Sequence, residues 1–375
     1  MIVMNIELDN LFSFEDFNMN FSYPKKIVNS SIKNEYLISK PNFRYKKVNV
    51  LMGPNASGKT SLGRAFMTIF NFLSEKEIIK IEKKIKDKEK PAYFSIDFLV
   101  DEDNLYRVEC KTLFQKSVEL EVYFSKILKS DSYESCVKKL KRIEKEDLEK
   151  FNIENESLDY VQKLSAIPPL GWLFTFPNED GATLKLLTED ENDTMDIRVL
   201  KSVLKTLDTS IIDVVKSKEV KNSYIIKTLN GDIFVQDGQI VKKNILSSGT
   251  KAGLEIAYVI SAICKNSNGF YYCDERFSYI QTDVEQAIFS LMIEFLHPNA
   301  QLFFTTHNLD LLEMNLPIHT FSFLRKKDKI EVVYPTDYIQ KNDISLRNAV
   351  KNDIFDIAPN INEIFELEGV CFNGC

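Results

Sequence analysis

Three histidines and six cysteines leave this 375-residue chain little metal-binding potential. No Cys-x2-Cys pair occurs, so a zinc ribbon or finger has no framework here. Cys110, Cys136, Cys264 and Cys273 are scattered and read as reduced, structural side chains, with Cys371 and Cys375 in a loose tail. Long apolar runs are also missing: none approaches the roughly 18 residues that span a bilayer. The opening stretch MIVMNIELDNLF carries acids and no basic residue, unlike a secretory leader. A cytoplasmic protein with no membrane partner is therefore expected. The net charge is −7, which argues against a strongly basic nucleic-acid coat but leaves room for a local basic groove. Hydrophobic residues make up 44% and charged residues 27%, enough to build ordinary globular cores.

What is present begins at Val48. Val48, Val50, Leu51 and Met52 form a short apolar run that suits a buried strand. Gly53, Pro54, Asn55, Ala56, Ser57, Gly58, Lys59 and Thr60 follow, fitting G-x-x-x-x-G-K-[ST], with Ser61 next. Leu62, Ala65, Phe66, Ile69, Phe70 and Leu73 then recur at helical spacing. Strand, glycine-rich loop and helix are the context this phosphate-binding pattern needs. Glycines let backbone N–H groups turn toward phosphate oxygens, and the helix start adds partial positive charge. Lys59 is expected to reach the β- and γ-phosphates, and the Thr60 hydroxyl to bind Mg²⁺.

A second apolar run, Phe270 to Cys273, ends in Asp274 and Glu275. Four such residues in a row suit a strand buried on both faces. Acids at its carboxyl end lie where ligands bind in an open α/β sheet. Asp274 is the expected partner of Mg²⁺, and Glu275 the group that orients and deprotonates water. A third run, Leu302 to Phe304, leads through Thr305 and Thr306 to His307, a candidate sensor of the γ-phosphate. Between the loop and the acids lies Leu246-Ser247-Ser248-Gly249-Thr250. Ala252, Ile256, Val259, Ile260 and Ile263 mark the helix it opens.

This order of motifs resembles the ABC-type ATPases of the SMC, RecF and OLD-like group, including stand-alone AAA-type ATPases of bacterial anti-phage defence operons. GPNASGKTSL, TTHNLDLLE and the opening Asn10, Ser13 and Phe14 carry the likeness, over roughly residues 1–125 and 220–325. Phe12 stands where a basic residue is usual, and Gln281 departs from the family's D-loop. The resemblance implies ATP and Mg²⁺ as cofactors and a head-to-tail homodimer. In it Ser247, Ser248 and Gly249 would cap the γ-phosphate held by the other copy, while Glu275 and His307 act in catalysis. It also implies slow hydrolysis that gates a separately encoded effector. Two alternatives stay open: a RecF- or SMC-like ATPase of DNA repair or chromosome maintenance, with DNA as partner, and an ATP-dependent scaffold with little hydrolysis. Gln115 is the only candidate for a Q-loop glutamine.

The implied fold is α/β, a P-loop NTPase of ABC-ATPase type, with a mixed central sheet, an antiparallel β lobe and an inserted helical lobe. Residues 1–125 are expected to hold the P-loop and β lobe, 126–215 a helical insertion, 216–325 the signature, acidic strand and switch histidine, and 326–375 a hairpin, helix and tail. Residues 93–124 alternate and read as a strand meander. The lysine-rich stretch 74–94 reads either as a solvated face or as a phosphate-backbone contact. AIPPLGWLFTFPNEDG, with the single tryptophan Trp172, reads as a turn-rich patch that packs in the core or binds a partner. No second acidic cluster suggests a built-in nuclease.

Overall fold

The computed structural model describes residues 1–28, 30–151, 160–177, 183–185, 195–217, 219–220, 223–236, 239–240, 248–265, 269–278, 280–339, 345–359 and 364–365. Strands β1 (Ile2–Asp9) and β2 (Phe17–Asn20) open the chain, followed by the hairpin β3 (Tyr36–Leu37) and β4 (Lys40–Arg44). β5 (Val48–Met52) leads into α1 (Lys59–Glu75) and the short α2 (Ile79–Glu82). The meander β6 (Ala92–Leu99), β7 (Asn104–Leu113) and β8 (Ser117–Lys126) comes next, then α3 (Tyr133–Phe151) and α4 (Tyr160–Leu164). β9 (Trp172–Thr175), β10 (Thr183–Lys185) and α5 (Ile197–Leu207) precede four strands: β11 (Ile211–Lys216), β12 (Ser223–Thr228), β13 (Gly231–Gln236) and β14 (Gln239–Ile240). The chain continues through α6 (Ser248–Lys265), β15 (Phe270–Asp274), α7 (Thr282–Phe295) and β16 (Gln301–Thr305). It closes with β17 (Phe321–Lys326), β18 (Ile330–Val333), α8 (Pro335–Tyr338) and α9 (Leu346–Lys351).

The central sheet runs β10-β9-β15-β16-β5-β17-β18, parallel from β9 to β17 with an antiparallel strand at each edge. Its strands are apolar throughout because both faces are covered. Alternation along each strand divides the side chains between two cores. Val48, Val50, Tyr271, Cys273, Leu302 and Phe304 face the core shared with α5, α6 and α7. Leu51, Phe270, Tyr272 and Phe303 face the other, which α1 fills with Leu62, Phe66, Ile69 and Phe70 under the antiparallel sheet β2-β1-β6-β7-β8. Gln301 joins the two sheets. Its amide accepts from Val3 N–H at 2.8 Å and donates to the Val3 and Lys46 carbonyls at 3.1 and 2.9 Å. The expected mixed sheet and antiparallel β lobe are thus both present.

The stretch expected to be a helical insertion contributes more than helices. β9 lies inside the central sheet, parallel to β15 with Trp172 opposite Phe270. Trp172 is buried against Phe70, ring centres 5.7 Å apart, so the tryptophan of the turn-rich patch packs in the core. The boundary expected at 215/216 cuts β11, and the one at 325/326 cuts β17. β11 pairs with β12, and β17 with both β5 and β18, so neither strand can be divided between units. The lysine-rich stretch behaves as a solvated face. Lys80 pairs with Glu75, Lys86 with Glu15 and Lys90 with Asp87, while Lys84 and Lys88 lie over the rings of Phe12 and Phe114.

Candidate active site

The phosphate loop sits between β5 and α1. Gly58 adopts φ +105°, and a β-carbon there would come 2.8 Å from Ile330; at Gly53 it would meet the Leu324 carbonyl oxygen at 2.1 Å. Both glycines therefore permit a turn that side chains would block. α1 starts with no side-chain cap, so its first N–H groups remain for an anion. The Ser57 hydroxyl is buried in the loop without a hydrogen-bond partner. A buried hydroxyl left unpaired is costly, and a phosphate oxygen would satisfy it. Lys59 Nζ donates to the Gly53 and Pro54 carbonyls at 3.0 and 3.2 Å, folded back over the loop it serves. The loop fits a triphosphate on these grounds.

β5, β16 and β15 are neighbours, so their carboxyl ends share one edge of the sheet. There Thr60 Oγ1 donates to Asp274 Oδ2 at 2.6 Å, and Thr305 Oγ1 donates to Asp274 Oδ1 at 2.6 Å. Asp274 is fully buried, and burial pushes its carboxyl above the usual range, against the pull of the two hydroxyls and Lys59. A hydroxyl and a carboxylate side by side are hard oxygen donors of the kind Mg²⁺ takes, together with phosphate oxygens and water. Its charge would also relieve the buried carboxylate. Thr60 and Asp274 are the residues that would hold it.

Glu275 turns away from the strand at φ +49°, in the left-handed region, and its N–H donates to Thr305 Oγ1 at 3.0 Å. That turn aims its carboxylate toward His307, whose Nε2 lies 2.9 Å from Glu275 Oε1, and toward Lys59 Nζ at 3.4 Å. The His307 hydrogen bond, followed by the Lys59 charge, holds the Glu275 carboxyl below its usual range. Glu275 is thus ionised and accepts only, so Nε2 of His307 carries the proton it shares. Burial pulls the Lys59 ammonium down, and both acids oppose the shift.

Glu285, on α7, was not expected. It is buried, and its two oxygens accept from Thr306 Oγ1 at 3.0 Å and Asn308 Nδ2 at 2.7 Å, the residues on either side of His307. Burial pushes its carboxyl above the usual range. Read alone, an acid in the first turn of a helix suggests solvent or the helix dipole. Only the fold brings it to the histidine loop. A cavity of about 730 Å³ opens beside this loop, between Gly53–Asn55, His307, Phe323 and the carboxyl-terminal Lys351 and Ile357–Pro359. The tail expected to be irregular therefore lines the site over these residues. Phe355 anchors it against Phe323 at 4.9 Å.

Other expected positions fall elsewhere. Gln115 lies in the β7–β8 turn, where its N–H donates to Glu82, and belongs to the β lobe, not to the carboxyl edge. The loop after β9, at Phe176 and Pro177, follows a strand that reaches that edge instead. Asn10 staples the 87–91 loop through Asp87, Lys90 and Pro91, and Phe14 is core, so the opening turn is structural. Ser247 lies outside the described residues. Helix α6 starts at Ser248 and includes Gly249, and its expected stripe of Ala252, Ile256, Val259, Ile260 and Ile263 is buried. Among the described residues, Cys110, Cys136, Cys264 and Cys273 are free thiols, and no cluster of His, Cys, Asp and Glu could hold a metal on its own. No described helix is long and apolar enough to cross a membrane.

A family model described as "AAA domain, putative AbiEii toxin, Type IV TA system" matches residues 48–314, from β5 to just beyond His307. The chain belongs to this family. Every residue of the phosphate loop, Asp274, Glu275 and His307 lies inside the AAA-domain match, which makes the chain a member of an ATPase family. No curated protein matches it. Similar solved structures include an SMC head domain from Thermotoga maritima, at 15% identity and TM-score 0.42, covering 89% of this chain and 99% of that one. An Smc head domain derived from Pyrococcus furiosus, bound to the C-terminal domain of ScpA, gives 14% identity and TM-score 0.48 over 93% and 98%. The recombination mediator protein RecF gives 10% identity and TM-score 0.43 over 88% and 98%.

Proposed function

We propose that this AAA-domain protein hydrolyses ATP slowly, as a head-to-tail dimer closed around two nucleotides, and that the cycle switches a separately encoded effector in anti-phage defence. The observation that carries the reading is the 2.6 Å contact between Thr60 and Asp274, with Glu275 held beside it by His307 and Lys59. Mg²⁺ bound there supplies charge neutralisation at the phosphates. Lys59 leaves the loop carbonyls for the β- and γ-phosphates, and Ser57 and the first N–H groups of α1 complete the cradle. Loss of Lys59 leaves Glu275 with His307 as its remaining partner. The carboxylate, which accepts the His307 Nε2–H, orients a water and takes its proton, and His307 would turn that N–H toward the γ-phosphate as the charge there grows. Ser248 and Gly249, with Ser247 before them, cap the γ-phosphate of the opposite copy. Binding energy at the shared phosphates favours closure, and hydrolysis removes it.

The family description, which refers to a toxin and a type IV TA system, supports an effector role beyond hydrolysis alone. The ion pairs of Lys80, Lys86 and Lys90 with acids reduce the positive charge that face would offer to DNA. The decisive experiment uses Glu275→Gln. The variant is expected to bind MgATP and accumulate as a dimer in size-exclusion chromatography with light scattering, with turnover reduced at least a hundredfold. Normal turnover removes Glu275 from its role. Duplex DNA added to the wild type tests the repair alternative: stimulation with a steep salt dependence supports it.

A further inference from the structure

The residues between His307 and β17 cross from one edge of the central sheet to the other. β5 and β17 are parallel, so the phosphate loop after Met52 and the residues before Phe321 lie at opposite edges. At this second edge a cavity of about 640 Å³ opens between the 23–31 segment and the crossover. His319 lines it, and its Nε2 lies 2.7 Å from Glu35 Oε1, both side chains being buried. Ser30, also at the cavity, donates through Oγ to Glu35 Oε2 at 2.5 Å. Burial pulls the Lys47 ammonium down to about 8, and the Glu35 charge opposes the shift. A hydroxyl, an imidazole and an ammonium thus share the charge of Glu35 from within the protein.

These partners fix the imidazole, and Tyr23 stacks on it with ring centres 4.3 Å apart. Ser31 Oγ donates to the Asn315 carbonyl at 2.5 Å on the same lining. No acid occurs among the described lining residues, and Lys26 among them is exposed. The cavity therefore offers an aromatic shelf, hydroxyls and a cation, at a size usual for small-ligand sites. A buried imidazole–carboxylate pair costs more than packed hydrocarbon, so a mere packing gap gives no reason to keep one there.

This cavity shares a wall with the one beside His307. In the 3₁₀ helix Leu309–Glu313, Leu312 lines the first and Leu309 the second. In α9, Leu346 lines the first, and Val350 and Lys351 the second. Arg347 locks the two helices together, 2.7 Å from both Asp310 and Glu313. We propose that the cavity is an effector site for a nucleoside monophosphate. The base rests on Tyr23, the sugar hydroxyls meet Ser30 and Ser31, and Lys26 takes the phosphate. Occupancy stiffens the shared wall, so His307 turns less readily toward the γ-phosphate and turnover slows. The slowing rests on the ATPase reading above; the binding does not.

The test titrates adenosine, guanosine, cytidine and uridine monophosphate into the full chain by calorimetry, in the wild type and in Lys59→Ala, which silences the phosphate loop. One molecule per chain is expected to bind both proteins with a dissociation constant below about 1 mM for at least one of the four. Lys26→Glu and Tyr23→Leu should each weaken it about tenfold, and inorganic phosphate and the free nucleosides should bind more weakly by about the same factor. If Tyr23→Leu also lowers the melting temperature, the exposed Lys26 decides alone. Silence with all four nucleotides, loss of binding in Lys59→Ala, or unchanged affinity in Lys26→Glu overturns the site. The bound monophosphate should slow ATP turnover at least threefold, and Lys26→Glu should relieve the inhibition. Unchanged turnover in the occupied wild type overturns the coupling. A chain that binds the monophosphate but releases no phosphate from ATP overturns the ATPase reading and leaves this site standing.

Discussion

At the residue scale, the site stores unfavourable charge in one place and relieves it in another. Asp274 is a buried carboxylate whose pKa is raised, so ionising it costs more in the nucleotide-free fold than in the unfolded chain. The sign follows directly: this carboxyl costs stability above its folded pKa, and the cost disappears as pH falls toward the unfolded value of about 3.9. Asp274→Asn should therefore raise the melting temperature of the nucleotide-free protein at pH 7 to 8. The gain should shrink as the pH is lowered toward the unfolded carboxylate value, and MgATP should no longer stabilise the variant. Scanning calorimetry across that range checks it, and a destabilised variant at pH 7 contradicts it. Lys59→Ala should remove the stabilisation by ATP, which for the wild type is about 2.7 kcal/mol at a hundredfold excess over Kd. Stabilisation that persists would detach the triphosphate from this loop.

At the element scale, close approach decides which residues are tolerated. α1 rests on Tyr272, whose hydroxyl donates to the Lys59 carbonyl at 2.6 Å. A β-carbon at Gly63 would come 2.5 Å from the Tyr272 ring. Gly63→Ala should cost about 1–3 kcal/mol as an overpacked core site, despite alanine's better helix propensity. Urea unfolding measures the loss, and an unchanged midpoint would mean that α1 can lift off the sheet freely. The short motifs around α1, β15 and β16 were legible in the sequence because their chemistry places the reacting groups within a few residues of a strand end. β9 was not. Three apolar residues and a threonine among prolines and glycines read equally well as a packed turn, and only pairing with β15 makes them a strand. Glu285 was hidden for the same reason: its contacts with Thr306 and Asn308 depend on elements meeting in space.

At the scale of the whole molecule, the reading commits to a reaction between two copies. Turnover per protomer should rise with protein concentration at fixed saturating ATP, then level off once dimers dominate. A rate per protomer that stays constant down to nanomolar protein would end the shared-site model. The general fold could be anticipated from strand–loop–helix order, but the division into units could not. Strands β11 and β17 cross the expected boundaries, and β9 leaves the expected insertion for the central sheet, because sheet neighbours are chosen by pairing, not by sequence distance.

The strand order has a consequence for biogenesis. Thr60 and Asp274 stand 214 positions apart along the chain, and β16, which separates β5 from β15 in the sheet, ends only at Thr305. A ribosome-bound chain that has already exposed its glycine loop still lacks the strand between the two halves. Affinity for magnesium-bound nucleotide should therefore arise late and all at once, so prematurely terminated products ending before Thr305 should stay inert instead of competing for the cell's ATP.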